Sequence, residues 1–213
     1  MNKLMMAGLL VAAGMVGQAH AQGMADWKGP DVKLETVKDG VYVLDNSHTS
    51  IVFRVWHMGL SHFAGSFDKI SGTANVNVTD LNKSSVNVAI DPKSVDSNVA
   101  ALDKELVGEK FFDTAKFPGM SFKSTKIEVD TPKGVSPATG KLYGELTMHG
   151  VTKPVVLNVT FNGHLLSPMG GGERIGFTAT GILKRSDFGI SMGIPMVGDE
   201  IEFTIVSEFS KAA

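Results

Sequence analysis

The chain has 213 residues, no cysteine, and 20 Lys and Arg against 22 Asp and Glu, a formal charge of −2. Disulfides and thiol chemistry are excluded, so the stability of the fold rests on its core. The cations are scattered along the chain rather than gathered into a patch, which argues against nucleic acid as a partner.

In chain order, Lys3 precedes an apolar run from Leu4 to Val16, followed by Ala19-His20-Ala21. This pattern predicts a secretory signal peptide over residues 1–21, with cleavage before Gln22. The run is shorter than the roughly 20 residues a membrane-spanning helix requires. Without cysteine, a lipid-anchored lipoprotein is excluded. Removing residues 1–21 leaves 192 residues with 19 cations against 22 anions, or −3. The expected mature protein is exported and periplasmic.

Residues 22–40 contain Gly23, Gly29 and Pro30 without a sustained period and read as an N-terminal arm ahead of a domain over residues 41–213. From Val41 onward, alternating or β-branched runs recur. Ile51, Phe53, Val55 and His57 alternate with Val52, Arg54, Trp56 and Met58, the period-2 signature of a strand with two unlike faces. Further runs cover 67–78, 85–90, 120–129, 140–148, 155–161, 175–183 and 201–209, with turn residues between them. Such repetition predicts an all-β, antiparallel architecture. Pro154 marks a strand start or edge, because proline cannot donate to a central ladder. Leu166 to Gly172, with three consecutive glycines, reads as a mobile loop.

One helix is expected, over about residues 98–107. Ser97 or Asn98 would cap it, Val99, Leu102 and Leu106 would share a face, and Asp103 and Glu105 would point outward. The following Phe111-Phe112 pair fits either a plug over one end of a barrel or an outer packing surface.

The inward sets combine Ile51, Phe53 and Val55 with Val86, Val88 and Ile90, then Leu142, Leu146 and Met148. Val155, Leu157, Val159 and Phe161 follow, then Ile175 and Phe177, then Ile201, Phe203 and Ile205. A closed sheet of about eight strands with such an interior is either filled by side chains or hollow enough for one small ligand. The aromatics Phe53, Phe67, Phe122, Phe161, Phe177 and Phe203 serve as a tunnel wall in one case and as ordinary packing in the other.

Catalytic signatures are sparse. His48, His57, His62, His149 and His164 show no metal-ligand spacing, and no metal is expected. Ser66-Phe67-Asp68-Lys69 matches S-x-x-K without its companion motifs, and G-x-S-x-G, P-loop and dinucleotide patterns are missing. His57 continues the inward set, either satisfied by a neighbouring strand or reaching a ligand oxygen. His149 reads as a turn or rim residue. Arg185 and Asp187 read as a turn-stabilising pair, with a head-group role for Arg185 as the secondary reading.

The motifs Tyr42-Val43-Leu44-Asp45, then His48 to Gly59, Gly65-Ser66-Phe67, Lys110-Phe111-Phe112-Asp113, Phe117-Pro118 and Phe122-Lys123-Ser124 stand in order. They continue with Gly144 to Val155 and with Lys184-Arg185-Ser186-Asp187-Phe188-Gly189. Together, over about Tyr42 to Phe209, the chain resembles the YceI-like family of exported bacterial proteins with a lipocalin-like barrel that bind polyisoprenoid lipids. One element departs from the family pattern. Leu102-Asp103-Lys104-Glu105-Leu106 lacks the Arg and the His found before Phe-Phe-Asp, so no head-group contact is carried over there.

The resemblance implies a lipocalin-like β-barrel of about eight strands holding an isoprenoid quinone or polyprenyl lipid, for transport or storage in the periplasm. The ligand-binding residues it implies are Ile51, Phe53, Val55, His57, Phe67, Val88, Phe122, Leu146, Leu157, Phe161, Phe177 and Phe203. No cofactor beyond the lipid and no enzymatic activity are expected. Transient contact with the membrane or a membrane redox protein is the implied partner interaction, and the oligomeric state is open, a homodimer included. Binding of fatty acids or amides, and an enzyme acting on such a lipid, are the alternatives.

Overall fold

The computed structural model describes residues 28–168, 170 and 172–212. The signal peptide expected over residues 1–21 lies outside the described residues, as do Met169 and Gly171 of the glycine-rich loop. Asp31–Ala213 form one compact unit.

Eleven strands follow in order: β1 (Gly40–Leu44), β2 (Ser50–His57), β3 (Ser61–Phe67), β4 (Ile70–Val76), β5 (Ser85–Ile90), β6 (Val95–Asp96), β7 (Met120–Val129), β8 (Thr139–Met148), β9 (Val151–Leu166), β10 (Glu173–Lys184) and β11 (Val197–Lys211). A single α-helix of the described residues, α1 (Ala100–Leu106), separates β6 from β7. All pairings are antiparallel, and β1 pairing with β11 closes the sheet.

The eleven segments make eight barrel staves. β1 and β2 run end to end beside β11, β3 and β4 form the next stave, and β5 and β6 the one after. The three breaks sit side by side, and side chains replace the ladder bonds lost there. Asn46 Oδ1 accepts from Ile70 N at 2.6 Å, and its Nδ2 donates to Asp68 O at 3.0 Å. Ser94 Oγ accepts from Asp68 N and Lys69 N at 3.2 and 3.0 Å. Backbone groups at a bend must find such partners, and a polar side chain next to the break is the nearest source.

The β2–β3 hairpin turns through Met58 and Gly59, with φ of 53° and 69°. Pro154 pairs with Glu145 of β8, while β10 pairs with β9 only from Asn158 onward. It therefore occupies a locally free edge, as its missing donor requires.

Val99 is the N-cap of α1 and is exposed rather than sharing the face of Leu102 and Leu106. Neither Ser97 nor Asn98 caps it. Ser97 instead donates through N and Oγ to Asp103 Oδ1, at 2.8 and 2.5 Å, so Asp103 turns back toward the chain instead of outward. Because β6 pairs only with β3, no ladder joins it to β7 at this end of the barrel. The segment of α1 and the two phenylalanines fills that opening, with Phe112 edge-on to Phe67 at 5.6 Å between ring centroids. It is a lid, not an outer packing surface.

The arm also has a place. Asp31 pairs with His164 through backbone hydrogen bonds of 2.8 Å in both directions, Val37 is buried, and Leu34 reaches the barrel interior. Asp31 to Asp39 thus pack on the opposite end of the barrel from the lid.

Candidate functional site

A filled barrel gathers its apolar side chains into one contiguous core. Here they form three clusters. One, under the lid, includes Ile51, Phe67, Met120, Met148 and Phe188; the second, near the arm, includes Tyr42, Phe161, Ile175 and Phe209; the third holds Phe122, Leu157 and Ala179. Between them runs a cavity of about 700 Å³. Inward-facing Phe53, Phe203 and Ile205 are only partly buried, although water on the outer face cannot account for their exposure. The barrel is hollow.

Wall residues run along β11 from Val197 to Phe209. At about 3.3 Å per residue and a strand tilt near 40°, that distance is about 30 Å along the axis. The mean cross-section is then roughly 23 Å², the width of one extended hydrocarbon chain. At roughly 30 Å³ for each methylene-sized group, the cavity has room for about 23 of them. Its wall is overwhelmingly apolar, with polar side chains confined to a few positions such as Thr49, Ser207 and the two ends.

Every residue of the sequence-derived set lies on this wall: Ile51, Phe53, Val55, His57, Phe67, Val88, Phe122, Leu146, Leu157, Phe161, Phe177 and Phe203. The alternation that singled them out is the alternation that builds the lumen. Ile175, also read as inward, is instead buried in the cluster near the arm. Several wall residues carried no usable signal. Leu34 belongs to a segment without a period; Glu105 is exposed, as expected, and borders the cavity only at the lid.

His57 is exposed, at the end of β2, and borders the cavity mouth opposite Val197. It is not an interior histidine satisfied by a neighbouring strand, because the strand ends at it. His149 is a turn residue with φ of 52°, donating from Nδ1 to Phe188 O at 2.9 Å and packing on the Phe117 ring.

Arg185 does not pair with Asp187. It is 5% exposed and donates to four backbone carbonyls: Nε to Gly198 at 2.8 Å, Nη1 to Ile190 at 3.2 Å and Met192 at 2.8 Å, and Nη2 to Val197 at 2.9 Å. Burial lowers its pKa, and the charge of nearby Asp199 works against that. The planar fork spends its donors on the loop from Gly189 to Gly198 and fixes the mouth, leaving little for a head group.

Two loops form that mouth, and Met58 N donates to Met196 O at 2.6 Å between them. Neither residues 55–67 nor residues 188–198 contain a single Asp, Glu, Lys or Arg. From them Trp56, Met58, Leu60, Met192, Ile194 and Met196 face solvent, Leu60 at 82% exposure. His57, Phe63, Met192, Gly193 and Val197 of the same loops line the cavity, so the exposed apolar rim is continuous with the lumen.

Among the described residues, no group of three His, Cys, Asp or Glu is placed to hold a metal ion. No helix among them is long and apolar enough to cross a membrane.

The YceI-like domain family matches residues 42–209. A UPF0312 protein of Vibrio cholerae is 40% identical over 153 residues, covering 71% of this chain and 78% of its own length. One from Shewanella sp. strain W3-18-1 is 37% identical over 169 residues, covering 78% and 85%. Among solved structures, the Campylobacter jejuni YceI protein is 28% identical with a TM-score of 0.63, covering 74% of this chain and 90% of that one. A Saccharophagus degradans domain described as polyisoprenoid binding and implicated in plant cell wall breakdown shares the fold, with 16% identity and a TM-score of 0.61 over 82% and 100%.

Proposed function

Because the chain belongs to the YceI-like family, we propose that it is a binding protein that holds one long-chain isoprenoid lipid, of quinone or polyprenyl type, along the barrel axis. The observation that carries this reading is the continuous apolar lumen, one chain wide, lined by Phe53, Val55 and the other wall residues. The description of the Saccharophagus degradans domain as polyisoprenoid binding supports the choice of ligand class. His57 at the mouth meets the head-group oxygens, and the lumen takes about 20 carbons of the tail. The site of action is the periplasm, which the pattern of residues 1–21 supports.

Burying about 20 chain carbons at about 0.8 kcal/mol each gives a gross term of about 16 kcal/mol relative to water, close to the ceiling for noncovalent affinity. The physiological exchange is between bilayer and barrel, both apolar, so the net difference is small. A carrier needs that small difference in order to release its cargo. The uncharged apolar rim is the surface through which the protein touches the bilayer during this exchange, and binding rather than catalysis is its role.

Straight-chain amphiphiles compete on the same apolar contacts, since a hydrophobic wall rejects them weakly. The test is competition between geranylgeraniol and palmitic acid for the delipidated protein. Geranylgeraniol is expected to displace palmitic acid at equal concentration. Failure of geranylgeraniol to bind, or preferential binding of palmitic acid, would sink the proposal.

A further inference from the structure

Three positions on the inward faces of the strands carry no side chain, and each lies beneath a phenylalanine ring. A methyl group at Gly65 would meet the Phe53 ring at 2.5 Å, and one at Gly181 would meet the Phe203 ring at 2.5 Å. One at Gly144 would collide with the Phe122 ring. Carbon contacts this short do not occur, so a side chain at Gly65 or Gly181 displaces the ring, and one at Gly144 meets Lys123 O at 2.6 Å as well as the ring.

The register explains the geometry. Gly181 faces Phe203 across β10 and β11, Phe203 faces Phe53 across β11 and β2, and Phe53 faces Gly65 across β2 and β3. One row of the wall therefore reads Gly, Phe, Phe, Gly, and the two rings lean away from each other onto the glycines. Neighbouring strands are about 5 Å apart at such pairs, so a ring whose edge reaches the next strand lies along the wall. Standing upright, the same ring would cross a bore only one chain wide.

Glycine inside a strand weakens it and marks a close approach. Placing it three times on the apolar, inward face serves the space it leaves. We propose that Gly65, Gly144 and Gly181 are specificity-determining residues: by letting Phe53, Phe122 and Phe203 lie flat, they keep the bore wide enough for a methyl-branched chain. This inference rests on the proposed lipid-binding function and names what selects the ligand class. A bore narrowed by an upright ring still passes a straight chain and excludes a branched one.

The experiment measures geranylgeraniol and 1-hexadecanol binding by the delipidated full chain. These alcohols share main-chain length and head group and differ in the four methyl branches and four double bonds of geranylgeraniol, so the steric effect is read from the change between variants rather than from the wild-type preference alone. In the wild type, geranylgeraniol binds the tighter. In a Gly65→Ala, Gly181→Ala variant, its affinity falls by about tenfold or more and that of hexadecanol by clearly less. Adding Phe53→Leu and Phe203→Leu, which remove the rings, restores geranylgeraniol binding; if the double-alanine chain does not fold, Gly181→Ala alone against Gly181→Ala with Phe203→Leu makes the same comparison.

Unchanged geranylgeraniol binding in the folded alanine variant, equal loss of both alcohols, or no restoration when the rings are removed overturns the inference and leaves the binding function standing. A wild type that binds neither alcohol overturns the binding function itself.

Discussion

Arg185 shows how a single residue fixes the mouth of the cavity through backbone carbonyls. Four carbonyls of the segment from Ile190 to Gly198 converge on one guanidinium, and no other side chain offers donors in that planar fork. The sequence placed it next to Asp187 because the two are neighbours in the chain. Its real partners lie beyond a turn at Gly189, whose φ of 79° redirects the backbone. Pair spacing carries no information about such a fold-back. Lysine at this position keeps the charge and loses the fork, so Arg185→Lys is expected to destabilise the protein by about 2 kcal/mol or more. Thermal unfolding reads that loss, and an unchanged midpoint would show that the carbonyls are satisfied otherwise.

At the scale of elements, alternation made the strands and their inward faces legible, because a period of two is written in consecutive residues. The breaks within staves were less so. Residues 67–78 read as one run, yet it bends at Asp68 and Lys69 where Asn46 and Ser94 take over the ladder bonds. The arm was the least legible, since its fit depends on His164 and Glu173, more than a hundred residues away. His164 Nε2 stands 2.8 Å from Thr36 Oγ1, and its Nδ1 stands 3.1 Å from Glu173 Oε1.

The Asp31 carboxyl is held below its usual pKa by the Lys33 backbone N–H first, then by the Thr36 hydroxyl and the His164 charge, against the opposing effect of burial. A lowered folded-state pKa stabilises the docked arm above the unfolded value of about 3.9, and this contribution vanishes as pH falls through the lower folded value. The arm is therefore expected to stay docked at neutral pH and to loosen below about pH 4. Hydrogen exchange at the Asp31 and Val37 amides follows this directly, and protection that does not fall at all on acidification below about pH 4 would contradict it. The rim loops give a second prediction. Leu60→Ser with Met196→Ser changes only exposed positions, so lipid affinity is expected to hold while transfer to phosphatidylcholine vesicles slows several-fold. Equal transfer rates would remove the rim from the exchange step.

For the whole molecule, the decisive feature is that eight staves enclose a lumen instead of a solid core. The sequence supplied an apolar interior but not its volume, because the same alternation serves a filled and an empty barrel. What distinguishes them is the distribution of size along each inward face, including the glycines at 65, 144 and 181 that let the aromatics lie flat. Lipid extraction followed by mass spectrometry of the protein purified from its native host tests the central claim most directly. The account predicts one isoprenoid lipid per chain; a protein that carries no lipid and takes up neither quinone nor polyprenol, or one that carries only straight-chain fatty acids or amides, would contradict it.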